Sequence, residues 1–201
     1  MIRAIVLDIG GVLLRTEDRS TREELERKYE LPPGSSDTLV FDSPVAKAAT
    51  IGRVPTQAIW EDVAKKLDLT PDSLETFKQA FWAGDRVDHS LLEFLVHCRS
   101  DYTTALLSNA WLDARSTFAH NYGLVEGKTV DFILISAELG VAKPNPKIYH
   151  ILAERVKRDF GEILFVDDFI ENVIAADQLG IQTIHYQPGM SLSKKIKSRL
   201  K

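Results

Sequence analysis

Short apolar runs separated by helical patterns constrain this chain more than any other feature. Ala4 to Leu7, Thr104 to Leu107, Phe132 to Ile135 and Ile163 to Val166 are each long enough for one strand, and none alternates with polar residues; Thr183 to Tyr186 is a weaker fifth. Strands without alternation are buried on both faces, which is the situation of a parallel sheet covered by helices. The intervening segments supply those helices. Asp88 to Arg99 opens on an N-cap residue, Pro144 to Lys157 keeps its prolines in the first turn, and Phe169 to Leu179 runs into Gly180. The fold class expected is therefore α/β, a doubly wound, Rossmann-like parallel sheet.

Between Arg15 and Arg86 the alternation stops. Thr16 to Glu30, Pro55 to Leu67 and Pro71 to Trp82 read as helices, with Thr70 placed to cap the last, and no segment there reads as a buried strand. The expected organisation is a core of residues 1–14 and 87–201 with an inserted α-helical cap of residues 15–86. Trp60 and Trp82 are expected as anchors of the cap's interior. Cys98, the single cysteine, shares a helical face with Leu91, Phe94 and Leu95 and reads as a buried structural thiol.

The net charge of −4 and pI near 5.8 offer no basic footprint for nucleic acid or an anionic membrane. The first apolar run meets Asp8 at once, so it forms neither a signal peptide nor a span, and a cytoplasmic location with a small soluble substrate is expected. The basic cluster Lys194-Lys195-Ile196-Lys197 reads as a solvated helix face.

Ligands of such sheets sit beyond the carboxyl ends of the strands, and there the polar residues gather. Asp8 closes the first strand, Ser108 the second, Lys143 opens the helix after the third, and Asp167-Asp168 close the fourth. In order and context, Asp8-Ile9-Gly10-Gly11-Val12, Leu107-Ser108-Asn109, Gly140-Val141-Ala142-Lys143-Pro144 and Phe165-Val166-Asp167-Asp168 followed by Asn172 resemble the motifs of the haloacid dehalogenase superfamily, a resemblance that covers the whole chain, helical cap included.

The chemistry of the set agrees with it. A carboxylate can attack phosphorus and split one difficult displacement into two easier ones. Three aspartates facing a phosphate dianion repel it by roughly 4 kcal/mol per close pair at about 4 Å and an effective permittivity of about 20. A divalent cation together with Lys143 supplies the compensating positive charge, and Mg²⁺ suits oxygen ligands. The resemblance implies a phosphatase acting on a small phosphorylated metabolite, with Asp8 as nucleophile. It further implies Mg²⁺ held by Asp8, by at least one of Asp167 and Asp168, and by the carbonyl of Gly10. Ser108 and the main-chain N–H groups of Gly11 and Asn109 would hold the phosphoryl oxygens, Lys143 would neutralise Asp8 and the phosphate, and Asn172 would tie down the loop of Asp167 and Asp168. Arg53, in the turn Ile51-Gly52-Arg53, and Trp111, just after the second motif, are candidates to touch substrate.

One position departs from the pattern. Most phosphatases of the superfamily carry a second aspartate two residues after the nucleophile, to protonate the leaving alcohol and then activate water; here it is Gly10. The first motif is similar to a branch that includes sugar-1-phosphate phosphatases and the amino-terminal phosphatase domain of soluble epoxide hydrolases, in which glycine occurs at this place. Leaving groups that need little protonation, such as an anomeric oxygen or an acyl phosphate, are then favoured. Two other readings stand beside it: a 2-haloacid dehalogenase, in which Asp8 attacks carbon without a metal, and a metal-binding regulatory protein with little or no turnover.

Overall fold

The computed structural model describes residues 1–200. The first apolar run forms strand β1 (Ala4–Leu7), followed by a short β2 (Leu14–Thr16). Helices α1 (Ser20–Lys28), α2 (Ser35–Phe41), α3 (Pro44–Thr50), α4 (Thr56–Leu67) and α5 (Pro71–Trp82) build the cap, and β3 (Asp85–Val87) returns the chain to the core. The core continues as α6 (His89–Cys98), β4 (Thr103–Ser108), α7 (Ala114–Tyr122), β5 (Phe132–Ile135), α8 (Ser136–Leu139) and α9 (Pro146–Val156). It closes with β6 (Ile163–Asp167), α10 (Ile170–Gln178), β7 (Gln182–His185) and α11 (Leu192–Arg199). No helix among the described residues is long and apolar enough to cross a membrane.

The five long-range strands pair in parallel in the order β5-β4-β1-β6-β7. The period of two divides their side chains between two apolar layers. Ile5, Leu7, Leu106, Leu164 and Val166 face α6, α7 and α11, while Ala4, Val6, Ala105, Leu107, Ile163 and Phe165 face α9 and α10. Each fully buried branched or aromatic side chain contributes about 1.5–3 kcal/mol. β1 lies at the centre, so Asp8, the residue after it, emerges in the middle of the sheet's carboxyl edge, between the ends of β4 and β6.

Helix starts follow their chemistry. Asp88 accepts from Leu91 N–H at 2.9 Å, Thr70 from Ser73 N–H at 3.3 Å, and Asn145 from Lys147 N–H at 3.0 Å ahead of Pro146. Cys98 is buried and unpaired. In α11 the lysines are exposed while Leu192 and Ile196 are buried against the core.

No buried strand falls within residues 15–86, as expected, but two short, partly exposed ones reach into its ends. β2 and β3 pair antiparallel as a ribbon, Leu14 opposite Val87 and Thr16 opposite Asp85, at the two passages between core and cap. Three residues per strand are too few to show a period in the sequence, and the ribbon is held by its surroundings. The buried Arg22 of α1 ties β3 to the cap: Nε donates to Phe81 O at 2.8 Å, Nη2 to Asp85 Oδ1 at 2.9 Å, and Asp37 pairs with Nη1. Its guanidinium lies 4.1 Å from the Phe81 ring centroid.

A second set of contacts fastens the cap directly to the core. Ser136 Oγ, buried, donates to Thr50 O at 2.7 Å and accepts from Ala110 N–H at 3.0 Å. Thr56 Oγ1 donates to Asp113 Oδ1 at 2.7 Å. Gly52, at φ +70°, lies so near the core that a Cβ there would stand 2.3 Å from Ala137 O. Trp111 of the core enters the cap's aromatic cluster, with ring centroids 5.7 Å from Phe41, 6.1 Å from Trp60 and 6.3 Å from Trp82.

Candidate active site

The carboxyl edge gathers the polar residues that end the strands. Asp8, Asp167 and Asp168 each offer a carboxylate oxygen, all within 4.8 Å of one another. Lys143 Nζ lies between two of them, 3.0 Å from Asp8 Oδ1 and 2.6 Å from Asp167 Oδ2, with its side chain wholly buried. Three carboxylates and one ammonium, all ionised, leave two negative charges in a site where Asp8, Asp167 and Lys143 are buried and Asp168 is half-buried. Burial, the largest influence, pushes the Asp8 carboxyl from 3.8 to about 7; Lys143 pulls the other way, and Asp167 and Asp168 add to the rise. The Asp168 carboxyl is raised as well, first by burial and then by Asp167.

The two aspartates that follow β6 are in different circumstances. Asp167 is spoken for on both oxygens: Oδ1 accepts from Phe169 N–H at 2.8 Å and Asn172 Nδ2 at 3.0 Å, and Oδ2 accepts from Lys143. Asp168 Oδ1 is buried with no hydrogen-bond partner. A buried carboxylate oxygen without a donor is costly, and a cation is the partner that its neighbours' surplus charge calls for. The donor set, all hard oxygens, fits Mg²⁺.

Asp8 is oriented by its own turn. Its Oδ1 accepts from Ile9 N–H at 2.6 Å and faces Lys143, which leaves Oδ2 open. Ser108 is buried at the end of β4, its hydroxyl committed to no protein group among the described residues. Asn109 clamps the neighbouring loop through its side chain: Nδ2 donates to Lys143 O and Oδ1 accepts from Lys143 N–H, both at 2.8 Å. Asn172 is buried, and its carbonyl accepts from the Tyr149 hydroxyl at 2.8 Å.

Gly11 differs from its expected part. Its N–H is already donated to Leu14 O at 2.9 Å and is not available to a phosphoryl group in this arrangement. The position instead makes room: at φ +76° a Cβ would stand 2.1 Å from Asp168 Oδ2. Gly11→Ala is expected to lower stability by about 1–2 kcal/mol through the left-handed backbone alone, and to weaken divalent-cation binding by displacing Asp168. Urea unfolding and calorimetric titration check the two effects separately; unchanged cation affinity would count against this account of Asp168.

Gly10 is exposed, and nothing lies within 4 Å of the place a Cβ would take. Of the remaining candidates, Arg53 is exposed on its turn. Trp111 is packed into the cap cluster described above. Two residues at the site escaped the sequence reading. His185 Nε2 lies 3.0 Å from Asp168 O, a contact that requires a protonated Nε2 because a carbonyl only accepts. Its signal was its place at the end of β7, opposite Asp167 in register. Tyr149, fully buried, was legible only as an apolar helix position; burial and the charges of Asp167 and Asp8 keep its phenol protonated.

Comparison with known proteins adds an independent line. A family model described as haloacid dehalogenase-like hydrolase matches residues 2–180. The D-ribitol-5-phosphate phosphatase of Bacteroides thetaiotaomicron is 28% identical over 201 residues, which is 94% of this chain and 94% of that protein. Pig bifunctional epoxide hydrolase 2 is 26% identical over 202 residues, 91% of this chain but 36% of that protein, so the chain spans about a third of its length. Among solved structures, a HAD family enzyme from Bacteroides thetaiotaomicron in complex with magnesium and inorganic phosphate matches with a TM-score of 0.78 at 22% identity, covering 97% of this chain and 99% of that one. The family model runs through β1, β4, β5 and β6 and so through the strand ends that carry Asp8, Ser108 and Asp167: the chain belongs to the haloacid dehalogenase-like hydrolases.

Proposed function

We propose that the chain is a Mg²⁺-dependent phosphatase of small phosphomonoesters, with Asp8 as the nucleophile. The observation that carries this reading is the pair of uncompensated charges around Asp8, with an Asp168 oxygen left partnerless beside it. A haloacid carboxylate brought to that surplus would be repelled, which disfavours the dehalogenase reading. A phosphatase relative of full length and a neighbouring fold that holds magnesium and phosphate support the same conclusion.

Asp8 and Asp168, with the carbonyl of Gly10, would hold the cation, and Asp167 would serve by fixing Lys143. When bound, Mg²⁺ offsets the charge of the gathered anions and polarises phosphoryl oxygens. Asp8 Oδ2, the oxygen its own turn leaves open, is the one positioned to attack phosphorus. The Ser108 hydroxyl would donate to a phosphoryl oxygen, and Lys143, locked by Asn109 and Asp167, would present a fixed positive charge to it. Asn172 would hold the Asp167 carboxylate in register.

The test is a panel of phosphoesters assayed with and without Mg²⁺ and graded by leaving-group pKa. Release of phosphate is expected only with the cation, and faster from acyl and anomeric phosphates than from alkyl phosphates. Activity that survives chelation, or halide release from 2-haloacids, would overturn the proposal.

A further inference from the structure

The reaction on Asp8 has two halves, and they make different demands on protons. In the first, an Asp8 oxygen bonds to phosphorus while the bond from phosphorus to the leaving oxygen breaks and its electron pair departs with that oxygen. When the leaving group is a carboxylate, as in an acyl phosphate, no proton need move. In the second half, water oxygen bonds to phosphorus, the Asp8–phosphorus linkage breaks and returns the carboxylate, and one water proton must go to a base. That demand is the same for every substrate.

Among the described residues, none of the charged side chains acting on Asp8 is free to serve as that base. The charges that act most strongly on Asp8 are Lys143, Asp167 and Asp168. Lys143 is held between two carboxylates, Asp167 is spent on Lys143, Asn172 and the Phe169 N–H, and Asp168 is turned to the cation position. His185 is committed through Nε2 to the Asp168 carbonyl, and His89, His97, His120 and His150 are exposed on helices α6, α7 and α9. Gly10 offers no side chain, yet its surroundings are open, so what is missing there is a chemical group and not space. Asp8 itself is 7% exposed, and the chain beside it supplies no group to take up a water proton.

We infer that this chain takes up a phosphoryl group on Asp8 faster than it gives it up, so that the aspartyl-phosphate accumulates, and that its donors are phosphates with leaving groups stable as anions, acyl phosphates first among them. The inference rests on the nucleophilic role of Asp8 proposed above. Absence of a positioned base slows the second half by about 10²–10⁴-fold.

The experiment is a rapid acid quench of the full chain with Mg²⁺ and ³²P-labelled acetyl phosphate, following protein-bound and free phosphate together. The expected record is a burst approaching about one phosphoryl group per chain, then a slow linear phase, with the label released by hydroxylamine and mapped to the peptide bearing Asp8. Gly10→Asp is expected to abolish the burst and raise steady turnover by about 10²-fold or more. Linear phosphate release from the first turnover, without labelled protein, would overturn this inference and leave the phosphatase reading standing. Neither label nor free phosphate would overturn both. Label that persists in Asp8→Asn would place the phosphoryl group elsewhere and overturn the inference as well.

Discussion

Asp8→Asn is expected to lower phosphoryl transfer by at least about 10³-fold and, at the same time, to make the cation-free protein more stable at pH 8. The first effect follows from loss of the nucleophilic oxygen. The second follows from charge. In the folded chain burial raises the Asp8 carboxyl to about 7, well above its ordinary 3.8, so the folded state holds its proton more tightly than the unfolded one. The stability this provides is fully present below about pH 4 and is lost as pH rises through about 7. At pH 8 the wild-type site carries its whole negative surplus, whereas the asparagine variant lacks one charge and keeps the Lys143–Asp167 pair intact. Thermal melts in chelator at pH 5.5 and pH 8 check this: the wild-type melting temperature should drop between the two, and the drop should shrink in the variant. A variant less stable than wild type at pH 8 would show that the carboxylate is a net stabiliser and that its environment has been misjudged.

Lys143→Met is expected to act in the opposite sense. The side chain is wholly buried between Asp8 and Asp167, and removing one partner of a buried ion pair costs about 3–5 kcal/mol because the remaining charges lose their compensation. Phosphoryl transfer should fall by about 10²–10³-fold, as for loss of one preorganised donor. The destabilisation should be greater at pH 8 than at pH 6, since Asp8, freed from the influence that lowers its pKa, can relieve the surplus by taking a proton. Denaturant midpoints at the two pH values, with and without Mg²⁺, measure it. Equal losses at both would mean that the carboxylates do not respond to the missing cation.

The sheet was legible because its strands are buried on both faces and apolar throughout, a pattern that helices of comparable length interrupt at regular intervals. Asp8, Ser108, Lys143 and the Asp167-Asp168 pair were legible for a related reason: a polar residue ending an apolar run has to emerge at the sheet's carboxyl edge. What escaped were relations between distant segments. The β2–β3 ribbon is too short to carry a period, and Arg22, which meets it at Asp85, is in sequence one charge among many. His185 meets Asp168 through strand register. The part of Gly11 could not be read from its identity, because the sequence shows a glycine's freedom of backbone but not which neighbour fills the space it leaves. Nor does the order Asp167-Asp168 say which carboxylate is saturated; that is decided by Asn172 and Lys143 arriving on one and not the other.

The Ser136 hydroxyl has one proton and two carbonyls within reach, Thr50 O in the cap at 2.7 Å and Ala110 O in the core at 3.2 Å. The shorter contact takes the proton to Thr50, and the hydroxyl oxygen at the same time steadies the Ala110 N–H, two residues beyond Ser108. One side chain thus joins the last residue of α3 in the cap to the stretch that follows Ser108. The seating of the cap and the placement of the loop after Ser108 therefore share a single hydroxyl, and neither is held independently of the other.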